Sequence, residues 1–157
     1  MTRARGLVLV VEDNEADVFL IREAIEAKKL PMVLDVVTDG EQATLYFDEA
    51  DGDASMPCPS LVILDINLPK KQGSEVLKHM RRSHRCANAL VIAISTSDSG
   101  RDREQMTELG VNGYFHKPSE YAAFMKLGDV VYHDKRASGK IRVCSGAIVR
   151  LERHAVA

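Results

Sequence analysis

The chain has 157 residues, 45% apolar and 28% charged, with a net charge of −2. That composition suits one globular domain with an ordinary core and excludes a fibrous or disordered chain. The near-neutral balance argues against nucleic acid or a membrane surface as partner of the whole chain, and no apolar run is long enough for a membrane span. In chain order, LVLVV (7–11) is predicted to be a wholly apolar strand. The helix after it carries Val18, Ile21, Ala24 and Ile25 on one face, with Asn14 or Glu15 as its cap. VLDVV (33–37) is a second strand, and the next helix, 41–49, turns Ala43, Leu45, Tyr46 and Phe47 to account. Residues 50–59, ADGDASMPCP, read as a loop. SLVILD (60–65) is the third strand; Pro69 and Gly73 bracket a turn, and SEVLKHMRRS is helical with Val76, Leu77 and Met80 inward. ALVIAIS (89–95) is the fourth strand, 98–109 a charged helix, and GYF (113–115) a fifth strand. Pro118 suits the start of a last helix, capped by Ser119, with Phe124, Leu127, Gly128 and Val131 on one face.

Five repeats of strand then helix imply right-handed crossovers and a parallel sheet covered on both faces. Near-continuous aliphatic strands are what such burial requires. The domain is assigned to 1–132. The stretch 133–157 breaks the pattern, holding six Lys or Arg against two acids. Within it, IRVCSGAIV (141–149) is compatible with a strand pair, a helical segment or no ordered structure.

Three cysteines, Cys58, Cys86 and Cys144, form no CxxC pair, and an odd number suits no disulfide framework; reduced thiols are expected. Arg3 and Arg5 precede an apolar run too short for a signal peptide, broken at Glu12 and Asp13, so a cytoplasmic location is expected. The five histidines show no metal-ligand spacing.

In an open parallel sheet, ligands bind beyond the carboxyl ends of the strands. Strand one ends in Glu12 and Asp13, strand three in Asp65, strand four in Ser95 and Thr96, and strand five leads to Lys117. Like charges about 4 Å apart cost about 4 kcal/mol at an effective dielectric of 20. A hard divalent cation, best Mg²⁺, is the simplest neutraliser, and the lysine suits an incoming anion. Metal plus lysine around a carboxylate is an arrangement for phosphoryl transfer, with central Asp65 as nucleophile and Glu12 and Asp13 on the metal side.

These residues carry a family resemblance. VVEDN (10–14), VILDINLP (62–69), IST (94–96) and YFHKP (114–118) together resemble the response regulator receiver domain, the phosphoacceptor of two-component signalling, over residues 6–132. The resemblance implies a flavodoxin-like, CheY-like α/β fold, with five parallel strands in the order 2-1-3-4-5. It implies phosphorylation at Asp65 by a sensor histidine kinase with Mg²⁺ as cofactor. Asp13, Asp65 and the carbonyl of Asn67 resemble the metal ligands, with Glu12 acting through water. Lys117, Ser95, Thr96 and Tyr114 resemble the phosphoryl-binding and switch residues, Tyr114 being the aromatic that rotates inward. Asn67 and Ser97 match positions that tune dephosphorylation, and Lys117-Pro118 resembles a cis peptide bond. The segment NLPKKQG (67–73) resembles single-domain regulators of bacterial phytochrome-type kinases.

The resemblance also implies that the chain is not an enzyme, beyond assisting its own phosphorylation and dephosphorylation. Too little chain follows the domain for a helix-turn-helix output, so signalling is expected to run through protein contact. Homodimerisation through the fourth helix, fifth strand and fifth helix, or a phosphorelay, are the two forms of contact expected, without nucleic acid or membrane. The alternative is a small Mg²⁺-dependent phosphohydrolase using the same nucleophile. Such enzymes place an acid two residues after it, where this chain has Asn67.

Overall fold

The computed structural model describes residues 6–29, 32–97, 99–133, 141–143 and 148–150. The order is β1 (Gly6–Val11), α1 (Glu15–Glu26), β2 (Met32–Val37), α2 (Gly40–Gly52), β3 (Leu61–Asp65), α3 (Gly73–Arg81), β4 (Leu90–Ser95), α4 (Gly100–Glu108) and β5 (Gly113–His116), followed by two short helices, α5 (Tyr121–Phe124) and α6 (Lys126–Val130), and strands β6 (Val131–His133), β7 (Ile141–Val143) and β8 (Ile148–Arg150). β1 to β5 are parallel and ordered 2-1-3-4-5, as the resemblance implied.

The strands are apolar throughout because each face of the sheet is covered. Side chains alternate across the sheet with period two. Leu9, Val11, Val62, Leu64, Val91 and Ala93 face one cluster, with Phe47, Leu77, Met80 and Met106 from α2, α3 and α4. Val8, Val10, Leu61, Ile63, Ile92 and Ile94 face the other, with Ile21, Ile25, Phe124 and Leu127 from α1, α5 and α6. β2 lies at one edge and alternates exposed and half-buried residues.

Several boundaries differ from expectation. α2 runs on to Gly52, which shortens the loop before β3. Three carbonyls in and beside that loop, of Ala50, Asp53 (2.9 Å) and Met56 (2.8 Å), accept from the Arg85 guanidinium. The Asp51 carboxylate in turn accepts from the Ser83 hydroxyl at 2.7 Å and from the amides of His84 and Arg85 at 3.1 Å. These contacts bring Cys58 against Cys86, and the two form a disulfide with a Cα–Cα distance of 5.4 Å. The expectation of reduced thiols is therefore corrected for this pair. Sequence spacing carries no information on which loops pack together at the base of the sheet. Cys144 lies outside the described residues.

The last helix also starts later than expected. Lys117 N–H still donates to the Ser95 carbonyl at 2.7 Å, so the chain leaves the sheet only after that residue. The helix begins at Tyr121, with Glu120 rather than Ser119 at the cap position. The sheet gains a sixth strand: β8 pairs antiparallel with β5, matching Gly113 to Arg150 and Phe115 to Ile148. β5 is therefore an interior strand, and its outer edge is not open to a second molecule. β7 pairs with β6 in a separate two-stranded sheet.

Candidate functional site

Strand register sets the site. Val11 is level with Leu64, Asp65 with Ile94, and Ser95 with His116, so the residues at or just beyond these positions share one edge of the sheet. Glu12 N–H donates to the Val37 carbonyl at 3.1 Å, and Ile66 N–H to the Ile94 carbonyl at 3.2 Å, which keeps the strand ends aligned. Gly73 starts α3 against this edge. A Cβ there would stand 2.6 Å from Ile66 Cα and 2.8 Å from the Asp65 carbonyl oxygen, so only glycine allows the approach.

The Lys117 ammonium is buried at the centre. Its Nζ donates to Glu12 Oε2 at 2.6 Å, Asp17 Oδ2 at 2.8 Å and Asp65 Oδ2 at 3.1 Å. All three of its N–H groups thus have a carboxylate partner. Asp65 Oδ1 accepts from the Asn67 backbone N–H at 2.8 Å, so both oxygens of that carboxylate are held. The Glu12 carboxyl is raised to about 7, chiefly by burial, with Lys117 acting to lower it and Asp65 to raise it. For Lys117, burial favours the neutral amine, but the bonds from Asp17 and Glu12 and the charge of Asp65 outweigh it and raise its pKa.

Glu12, Asp13 and Asp65 each place a carboxylate oxygen within 4.8 Å of the others. Glu12 and Asp65 are buried and Asp13 is exposed. Three hard oxygen donors with one side open to water fit a small divalent cation that keeps part of its hydration shell. The Asn67 carbonyl is a ligand by resemblance alone.

Ser95 is fully buried. Its Oγ accepts from Asn67 Nδ2 at 3.3 Å and from the Ser97 backbone N–H at 2.9 Å. The Ser97 hydroxyl donates to Asp102 at 2.8 Å. Tyr114 is already inside, 3% exposed; its hydroxyl donates to the Ser97 carbonyl at 3.2 Å, and the Arg103 guanidinium lies 5.3 Å from its ring centre. Thr96 is exposed, and its carbonyl meets the His116 ring at 3.0 Å. The structure therefore gathers Glu12, Asp13, Asp65, Asn67, Ser95 and Lys117 and leaves the Thr96 side chain outside. The Lys117–Pro118 peptide bond is trans, correcting the expected cis bond. The amine reaches all three carboxylates from that backbone, and trans is the lower-energy form by about 0.5–1 kcal/mol.

Asp17 was not anticipated. An acid in a helix's first turn ordinarily reads as a partner of the helix dipole. The available signal was its spacing: Asp17 follows Asp13 by four residues, which puts both at the same end of α1. Asn14 settles the local geometry, since its Oδ1 accepts from the N–H groups of Ala16 and Asp17 at 2.9 and 3.2 Å.

The family profile described as "Response regulator receiver domain" matches residues 8–127. The curated "Response regulator Rcp1" of Synechocystis sp. is 31% identical over 121 residues, 77% of this chain and 82% of that protein. Among solved structures, the phosphorylated cyanobacterial phytochrome response regulator RcpA superposes with a TM-score of 0.76 at 30% identity, covering 88% of this chain and 99% of that one. The Mn(2+)-bound form of Rcp1 gives 0.70 at 30% identity, over 78% and 88% of the two chains.

Proposed function

The chain belongs to the response regulator receiver domain family, and from that premise we propose that Asp65 is the residue that accepts a phosphoryl group from a sensor histidine kinase. The observation that carries this reading is the Lys117 ammonium bonded to Asp65, beside three carboxylates grouped within 4.8 Å.

In the transfer, an Asp65 carboxylate oxygen attacks phosphorus. The P–N bond to the kinase histidine breaks, its electron pair goes to the imidazole nitrogen, and an acyl phosphate remains on Asp65. Lys117 faces the equatorial oxygens, where charge concentrates. Asp13, Asp65, Glu12 and the Asn67 carbonyl would hold Mg²⁺, which when bound neutralises charge on the transferring group. The residue's single charge is exchanged for one of about −1.5 to −2. Ser95, buried at the same sheet edge, is the hydroxyl proposed to answer it. To do so it must leave Asn67 and Ser97, and Ser97 is tied through its carbonyl to Tyr114 and through its hydroxyl to Asp102 on α4. Movement at Ser95 thereby reaches α4 and β5.

The likeness to the solved cyanobacterial phytochrome response regulator supports a phytochrome-type kinase as donor. A cytoplasmic location suits such a donor. No helix among the described residues is long and apolar enough to cross a membrane. We read the chain as an acceptor and not an enzyme on external substrates: the position two after the nucleophile is an amide, Asn67, which cannot act as general acid.

The test is labelling by acetyl phosphate with Mg²⁺. Wild type should carry one acid-stable, hydroxylamine-sensitive phosphoryl group, and Asp65→Asn none. Equal labelling of the two would move the acceptor elsewhere.

A further inference from the structure

Lys117 is held by more than the family pattern supplies. Its ammonium sits on a tripod of carboxylates from three elements: Glu12 just past β1, Asp17 in the first turn of α1 and Asp65 at the end of β3. The lysine stem is a flexible four-carbon chain, so the direction of its charge depends on what anchors it. Asp65 cannot be a permanent anchor, because its carboxylate is the group that reacts. Glu12 is divided: Oε1 accepts from the Asn14 backbone N–H at 3.1 Å, and the residue also belongs to the trio suited to a cation. Asp17 stands outside that trio, and its side chain is 21% exposed. Its backbone is fixed by the Asn14 cap. Among the described contacts, it is the carboxylate that serves Lys117 alone.

We propose that Asp17 is a positioning residue, which holds the Lys117 ammonium so that its third N–H faces the phosphoryl group on Asp65. The inference rests on the phosphoacceptor reading above. When Asp65 becomes an acyl phosphate, the N–H that bonded its Oδ2 passes to a phosphoryl oxygen, while Asp17 and Glu12 keep the other two. Asp17 acts through the lysine and contacts neither the acceptor nor the trio in any recorded bond.

The test uses the full chain and beryllofluoride, a stable mimic of the phosphoryl group, at fixed Mg²⁺. Asp17→Asn is nearly isosteric and removes only the charge; Asp17→Ala removes the bond. Loss of one charge-assisted hydrogen bond predicts that each weakens beryllofluoride binding by about tenfold, while Mg²⁺ affinity stays within about twofold of wild type. A merely structural role for Asp17 at the start of α1 would disturb Glu12 and Asp13 as well, lowering both affinities, and that result overturns the proposal. So does beryllofluoride affinity that is unchanged or raised, the latter marking Asp17 as a competitor for the lysine. In a Lys117→Gln background, Asp17→Asn should leave the initial rate of labelling by acetyl phosphate unchanged; a further fall also counts against it. Failure of wild type itself to bind beryllofluoride or to label at Asp65 would instead remove the phosphoacceptor reading and this inference with it.

Discussion

The Asn67 side-chain amide donates to the Ser95 hydroxyl at 3.3 Å, while the Asn67 backbone N–H donates to Asp65 at 2.8 Å. One residue thus links Asp65, the proposed acceptor, to the hydroxyl proposed to move. Asn67→Ala keeps the backbone bond and releases Ser95 from one of its two recorded donors. A neutral hydrogen bond is worth about 0.5–1.5 kcal/mol net. Beryllofluoride affinity should therefore rise two- to tenfold, roughly the span of that energy. Titration of wild type and variant at fixed Mg²⁺ checks it; weaker binding would mean that Asn67 helps to hold the phosphoryl group.

Gly73 packs its α-carbon against the backbone of the acceptor strand. In Gly73→Ala, the added methyl meets Ile66 Cα and the Asp65 carbonyl, neither of which is the end of a flexible side chain. Overpacking of this kind costs about 1–3 kcal/mol. The variant should unfold at lower denaturant and label Asp65 more slowly than wild type at the same Mg²⁺. Gly100→Ala is the control, since a Cβ at that position meets nothing within 4 Å.

Cys58 and Cys86 are 28 residues apart in sequence. Closing a loop of that size stabilises by about 3–4 kcal/mol in the chain-entropy account. Reduction, or Cys58→Ser with Cys86→Ser, should lower the thermal midpoint. Labelling of Asp65 at low temperature should persist, because the bond lies at the entry ends of β3 and β4 and the acceptor at their exits. Thiol titration before and after denaturation in the absence of reductant measures the pair directly.

Glu12 has a carboxyl raised from 4.5 to about 7 in the metal-free fold, chiefly by burial. The folded state then holds a proton that the unfolded chain releases. This contribution is fully present below about pH 4.5 and is lost as pH rises to about 7. Lys117 has the same sign in the alkaline range: its raised pKa stabilises the fold below the unfolded value of 10.5, and that is lost above it. A divalent cation beside Glu12 favours the carboxylate and should flatten the acid-side slope. Denaturant midpoints between pH 5 and 8, with and without Mg²⁺, read this out. A slope that is the same in both series would remove Glu12 from the cation's neighbourhood.

Much of the molecule was legible along the chain. The strands could be found because a doubly covered parallel sheet needs aliphatic residues on both faces, and 7–11, 61–64 and 90–94 contain nothing else. The acids, hydroxyl and lysine could be found because they terminate those strands, where a parallel sheet opens its crevice. Helix ends were less accessible: α2 continues through Ala50, Asp51 and Gly52, where the Ala50 carbonyl accepts from Arg85 and the Asp51 carboxylate from Ser83, both in another loop.

Residue type and strand order determined the sheet, its burial and the edge at which Asp65 stands, since these depend on local period and on which end of a strand a residue occupies. Tertiary structure alone decided that Asp17 shares the amine with Glu12 and Asp65, that Cys58 meets Cys86, and that Ile148–Arg150 takes the outer edge of β5. Each of those pairs spans 28 to 100 residues or joins separate elements. Their meeting depends on how loops and helix ends pack, for which no periodicity exists in the chain.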